Sequence, residues 1–168
     1  MKITGNLRYL TMAVMLSFLA FPAISLAAGN ADFSGTWVIN ETKSDAEEGR
    51  SMRSPELVVT QDRNELTIER SFTTRDGEVR KRSQAVTLDG KESKDEGEQR
   101  TVTSSTSWSG EGSLIIKSHM TFSRQGETME IDTTETWTLD KTGKELTIVY
   151  ASKSSRGERS ATLVYNLK

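Results

Sequence analysis

The side chains in this sequence best placed to do chemistry are charged or hydroxylated residues in otherwise apolar alternating runs. Arg70 falls in the series Leu66/Ile68/Arg70/Phe72, and Glu135 in the series Met129/Ile131/Thr133/Glu135/Trp137/Leu139. A charge on an apolar face costs several kcal/mol unless it is paired or hydrated. Arg70 and Glu135 therefore pair with each other, line a wet interior that holds a ligand, or curl at strand ends and reach the rim. The planar fork of an arginine suits a carboxylate. Tyr150, in Leu146/Ile148/Tyr150, and Tyr165, in Ala161/Leu163/Tyr165/Leu167, can turn hydroxyls toward a ligand head group. Met129, Ile131 and Trp137 share the Glu135 face and are the expected apolar lining.

Other chemistries find little support. The chain has no cysteine, which excludes disulfides, thiolate zinc sites, a cysteine nucleophile and a lipidated N-terminal cysteine. Its single histidine, His119, shares parity with Lys117 and Thr121 and is expected to face water. There is no glycine-rich phosphate loop, no His-Glu-x-x-His and no Gly-x-Ser-x-Gly elbow. Ser107-Trp-Ser-Gly110 resembles a nucleophile turn only superficially; with no histidine or buried acid to activate it, it reads as a hairpin corner. The carboxylate pairs Glu47-Glu48 and Asp95-Glu96 sit in charged loops, and Asp45-Ala-Glu-Glu48 lacks the ligand spacing of a calcium loop. The formal charge of −2 and a basic stretch, Arg75 to Arg82, without interleaved aromatics argue against nucleic acid. The expectation is a protein without cofactor, metal or catalytic activity.

These side chains need elements to hold them. Lys2 and Arg8 precede the apolar run Leu10–Phe21, and Ser25 and Ala27 fit the −3 and −1 positions of a cleavage site. Residues 1–27 thus read as a signal peptide, cut after Ala27 or alternatively Ala28, and the run is short for a membrane-spanning helix. Without Lys2 and Arg8 the remaining chain carries 20 basic and 24 acidic residues. A periplasmic or secreted protein, with no stable membrane insertion after cleavage, is the expectation.

Residues 28–168 read as one domain in which side chains alternate with period two. Strands are expected over Phe33–Asn40, Glu56–Gln61, Glu65–Thr73, Glu78–Leu88, Glu98–Trp108, Ser113–Arg124, Glu127–Asp140, Lys144–Lys153 and Arg159–Leu167, about nine in all. Glu41–Ser54 reads as a polar loop or one short helix, and Lys91–Gly97 as a charged turn. The connections leave no room for crossover helices, so neighbours should pair antiparallel. Asn64–Ile68, Gly112–Ile116 and Lys144–Ile148 form a loose repeat, each opening the second strand of a hairpin and sending a Leu and an Ile inward. Closing such a meander into a single antiparallel up-and-down β-barrel removes its edges. Thr67, Glu69 and Ser71, like Glu130, Asp132, Thr134 and Thr136, should face outward into water rather than lipid.

Phe33-Ser-Gly-Thr-Trp37, followed by Asn40, resembles the opening of lipocalin-like and fatty-acid-binding-protein-like chains. Thr136–Ile148 and Leu163-Val-Tyr165 are similar to a group of small secreted bacterial proteins of unassigned function. The resemblance implies a calycin-type barrel with Gly35 and Trp37 as structural residues plugging its closed end. It also implies that Tyr165 stands where the intracellular fatty-acid binders carry the tyrosine of an Arg-x-Tyr; the arginine is absent, and Arg70 would have to substitute from another strand. The function expected on these grounds is binding of a small amphipathic or hydrophobic ligand in the cavity. The alternative is a solid-cored interaction or envelope-stress module acting through Glu41–Ser54 and the Arg75–Lys81 hairpin.

Overall fold

The computed structural model describes residues 30–45, 53–74, 76–109, 112–124 and 127–168. The expected export signal and its cleavage position lie outside these residues, as do Arg75 and the middle of the Glu41–Ser54 loop. Among the described residues ten strands form one sheet: β1 Gly35–Ile39, β2 Glu56–Gln61, β3 Glu65–Thr73, β4 Val79–Thr87, β5 Ser93–Gly97, β6 Arg100–Trp108, β7 Leu114–Arg124, β8 Glu127–Leu139, β9 Glu145–Ser154 and β10 Gly157–Leu167. The order is β4-β3-β2-β1-β10-β9-β8-β7-β6-β5, and every pairing is antiparallel. The fold is an all-β, up-and-down, nearly closed barrel.

One expected turn is a strand. Ser93–Gly97, within the stretch read as the charged turn Lys91–Gly97, pairs with β6 from Ser93↔Ser104 to Gly97↔Arg100. Its composition, Ser-Lys-Asp-Glu-Gly, has no apolar residue to betray an inward face. Backbone pairing with a neighbour is sufficient to hold such an edge.

The barrel closes between β4 and β5 by side chains rather than a ladder. Thr87 donates its N–H to Ser93 Oγ at 2.9 Å, and Thr106 Oγ1 donates to the Thr87 carbonyl at 2.5 Å. Deeper in, Gln84 Nε2 donates to Ser104 Oγ at 3.1 Å.

Register explains the core. Leu66 opposes Val86, Leu114 opposes both Trp108 and Trp137, and Leu146 opposes Leu139 and Tyr165. The three leucines of the loose repeat are fully buried in one cluster with Phe33, Trp37 and Trp137. Phe33 meets the Trp137 ring edge-on at 5.7 Å and stacks on Trp108 at 6.1 Å. This end of the barrel is packed solid.

Gly35 and Trp37 sit here. Trp37 is 1% exposed and donates its indole N–H to the Phe33 carbonyl at 2.9 Å. Gly35 has φ of +148°, and a Cβ there would lie 2.6 Å from Leu167 Cδ1. Leu167 itself, expected in the core, is 42% exposed: it pairs with Trp37 at the rim, where the last strand runs out. Ser71 departs from its expected exposure in the other direction. It is buried because Ser54 Oγ accepts its N–H and donates to its carbonyl, both at 2.8 Å.

After β1 the chain turns at Asn40, whose side-chain oxygen accepts the N–H groups of Thr42 and Lys43. It then stays beside β10, Asp45 exchanging hydrogen bonds with Thr162 and Ser44 Oγ accepting the Val164 N–H. The described part of this connection is a turn followed by chain in no regular element.

Candidate functional site

Above the packed end the interior opens. Inward positions on β3 are Leu66, Ile68, Arg70 and Phe72; their register partners on β4 are Val86, Gln84, Arg82 and Arg80. The first polar inward groups on this wall are Gln84, opposite Ile68, and then Arg70 with Arg82. β3 and β8 stand five places apart in the ten-strand order, on opposite walls, so a bond between them crosses the lumen. Arg70 Nη2 donates to both carboxylate oxygens of Glu135, at 2.9 and 2.7 Å. Their side chains are 18% and 16% exposed. Of the arrangements open from sequence, the two charges pair with each other.

The pair is extended on both sides. Trp137 Nε1 donates to Glu135 Oε2 at 2.8 Å. Arg70 Nη1 lies 3.4 Å from Gln84 Oε1, Gln84 donates to Ser104 Oγ, and Ser104 Oγ meets Ser118 Oγ at 2.8 Å. One polar network thus runs from β8 through β3 and β4 to β6 and β7. It satisfies the charges that an apolar interior would reject.

Over this polar floor lies a cavity of about 400 Å³. Phe72, Val102, Met120, Phe122, Met129 and Ile131 form its apolar walls. Arg70, Glu135, Tyr150 and Tyr165 contribute polar surface, as do Ser118, Thr133 and Ser152. Burial pushes the Tyr165 hydroxyl up to about 12 and also raises that of Tyr150, so both are neutral donors at physiological pH. The interior is consequently not solid throughout, as the interaction-module alternative required. The cavity lies within the range of roughly 300–1,000 Å³ that small-molecule sites occupy.

Six of the seven expected ligand contacts thus face one cavity: Arg70, Glu135, Tyr150, Tyr165, Met129 and Ile131. Trp137 does not. It is 0% exposed and belongs to the packed end, where its indole holds Glu135 from below. Met120 also lines the cavity wall.

The sequence reading missed the arginines of the mouth. Arg82, Arg100, Arg156 and Arg159 all face the cavity, with Asp95 beside them. Arg82 belongs in sequence to the basic stretch Arg75 to Arg82. Its parity with Gln84 and Val86 was the available signal, as was that of Arg159 with Ala161 and Leu163. Burial and the neighbouring Arg100 hold the Arg82 guanidinium below its ordinary value, and its carbon lies 5.9 Å from the Phe72 ring centre. Arg100 is ion-paired with Asp95.

Outside the barrel, His119 faces solvent as expected and lies 2.7 Å from Asp132 Oδ1. Among the described residues no group of three or more His, Cys, Asp or Glu side chains is placed to hold a metal ion, and no helix is long and apolar enough to cross a membrane.

The sequence matches no known family profile and no curated protein. A solved structure does align with the chain. It is zebrafish ileal bile acid-binding protein complexed with cholic acid, matching over 81% of this chain and 98% of its own, at 16% identity and a TM-score of 0.44.

Proposed function

We propose that this chain is an exported, non-catalytic barrel that binds a small amphipathic or hydrophobic ligand in its cavity. The observation that carries the reading is the cavity itself: about 400 Å³ of space between a satisfied polar floor and apolar walls. A ligand entering it buries apolar surface against Met129, Ile131 and Phe122 while Tyr150, Ser152 and Thr133 offer hydrogen bonds. Arg70 and Glu135 hold the floor in place rather than waiting for a ligand charge, because each already answers the other. Periplasmic or secreted location follows the expected signal segment, residues 1–27.

The test is a fluorescent anilinonaphthalene probe added to the chain from Ala28 onward. Its emission should rise on binding. Thr133→Trp on β8 and, independently, Ser118→Phe on β7 fill the space and should abolish the rise, with circular dichroism and melting curves reporting that each variant folds. A probe signal indifferent to both fillings, in folded proteins, would overturn the reading.

A further inference from the structure

The mouth of the cavity carries an excess of positive charge on a chain whose formal charge is −2. Arg82, Arg100, Arg156 and Arg159 face it from β4, β6, the β9–β10 turn and β10, against the single carboxylate of Asp95. That carboxylate is ion-paired with Arg100 and also favours the charge of Arg82. Among the described residues, Arg82, Arg156 and Arg159 have no carboxylate within ion-pair distance; Arg82 rests over Phe72, and Arg156 approaches only Met129 Sδ, at 3.7 Å. Like charges converging without partners oppose each other, and an anion relieves them.

The interior settles which way such an anion would lie. Arg70, the deep guanidinium, is neutralised by Glu135, and an acid pushed to the floor would meet that carboxylate. Among the described residues that line the cavity, the guanidinium groups without a carboxylate partner are those of Arg82, Arg156 and Arg159. Between floor and mouth lie two same-face steps along the strands, from Ser118 to Met120 to Phe122 and from Thr133 to Ile131 to Met129. At about 6.6 Å per step the depth is roughly 13 Å along a strand, and less along the axis of a tilted barrel. This suits a compact ring system and not an extended long acyl chain.

We infer that the ligand is a compact organic anion, a carboxylate or sulfonate, bound with its apolar body among Phe72, Met120, Phe122 and Ile131 and its acidic group outward against Arg82 and Arg159, with Arg100 and Arg156 beside them. The inference rests on the cavity being the binding site.

A matched pair of probes separates the two claims. 8-Anilinonaphthalene-1-sulfonate and N-phenyl-1-naphthylamine share one ring skeleton and differ by the sulfonate. The sulfonated probe should bind at least about tenfold tighter, the equivalent of one charge-assisted hydrogen bond. In Arg82→Gln/Arg159→Gln the preference should fall to near unity. In Arg82→Lys/Arg159→Lys, which keeps the charge, most of it should remain, and Lys117→Gln on the outer wall should leave it untouched. Equal affinity for the two probes in the native chain, with both signals lost on Thr133→Trp and Ser118→Phe, overturns the anion inference and leaves the cavity reading standing. A preference that survives the double glutamine variant, or that Lys117→Gln removes equally, also overturns it. If neither probe gives a signal sensitive to cavity filling, both claims fall.

Discussion

Arg70 and Glu135 show why a charge on an apolar face is informative without being decisive. The sequence placed both inward; only register and closure put them on facing walls within 2.7 Å of each other. Removing one partner leaves the other partly buried and unanswered. Glu135→Ala should therefore lower unfolding stability by about 2–3 kcal/mol, below the 3–5 of a fully buried pair because the cavity can hydrate Arg70. Arg70→Met/Glu135→Leu, which removes both, should recover much of that loss in denaturant melts. His119 offers a second residue-scale check. Its hydrogen bond to Asp132 raises its pKa above the ordinary 6.5, so the pair is favourable while the ring is charged and is lost as pH rises through the folded pKa. An NMR titration should read a value above 6.5 that drops in Asp132→Asn.

The hairpins follow from turn chemistry. Asp62 and Asp140 use the same device, each side chain accepting two N–H groups from the start of the next strand: Asn64 and Glu65 for Asp62, Lys144 and Glu145 for Asp140. Asp140 also accepts both donors of Thr142, and these bonds, the Thr142 hydroxyl foremost, depress its pKa to about 2. The sign is the carboxylate one: the contribution is present above the unfolded pKa and disappears as pH falls from about 4 toward 2. Asp140→Asn should therefore flatten the acid limb of the melting-temperature profile over that window. At the first strand, Gly35→Ala should lower the melting temperature, because φ of +148° is strained for any side chain and the added Cβ forces Leu167 to move. Elements were legible wherever apolar residues alternated, as in Leu66/Ile68 and Leu146/Ile148. β5 was not, because Ser93–Gly97 offers no hydrophobic pattern and is a strand only through β6.

At the scale of the whole molecule the barrel divides into a packed end built on Phe33, Trp37 and Trp137 and a hollow end rimmed by arginines. The Arg70–Glu135–Gln84–Ser104 network forms the boundary between them and reaches across the β4–β5 opening. Gln84→Ala removes the link from that opening to Ser104. Hydrogen exchange should then quicken in β4 and β5 and stay slow in Leu114–Ile116 and Leu146–Ile148 of the packed end.

Local chemistry by itself determined that the chain is a series of antiparallel strands, which residues of the apolar strands face inward, and that Arg70, Glu135, Tyr150 and Tyr165 share an interior. Period two and turn residues act over a few neighbours, and no long-range information is needed to read them. The hollow, the pairing across it and the arginine mouth were decided by tertiary structure. A strand such as β4, with Arg82 and Gln84 on the parity of Val86 and Lys81 and Ser83 on the other, is polar on both faces over most of its length; the closed barrel brings Arg82 and Gln84 to the cavity and leaves Arg80 exposed beside Glu78.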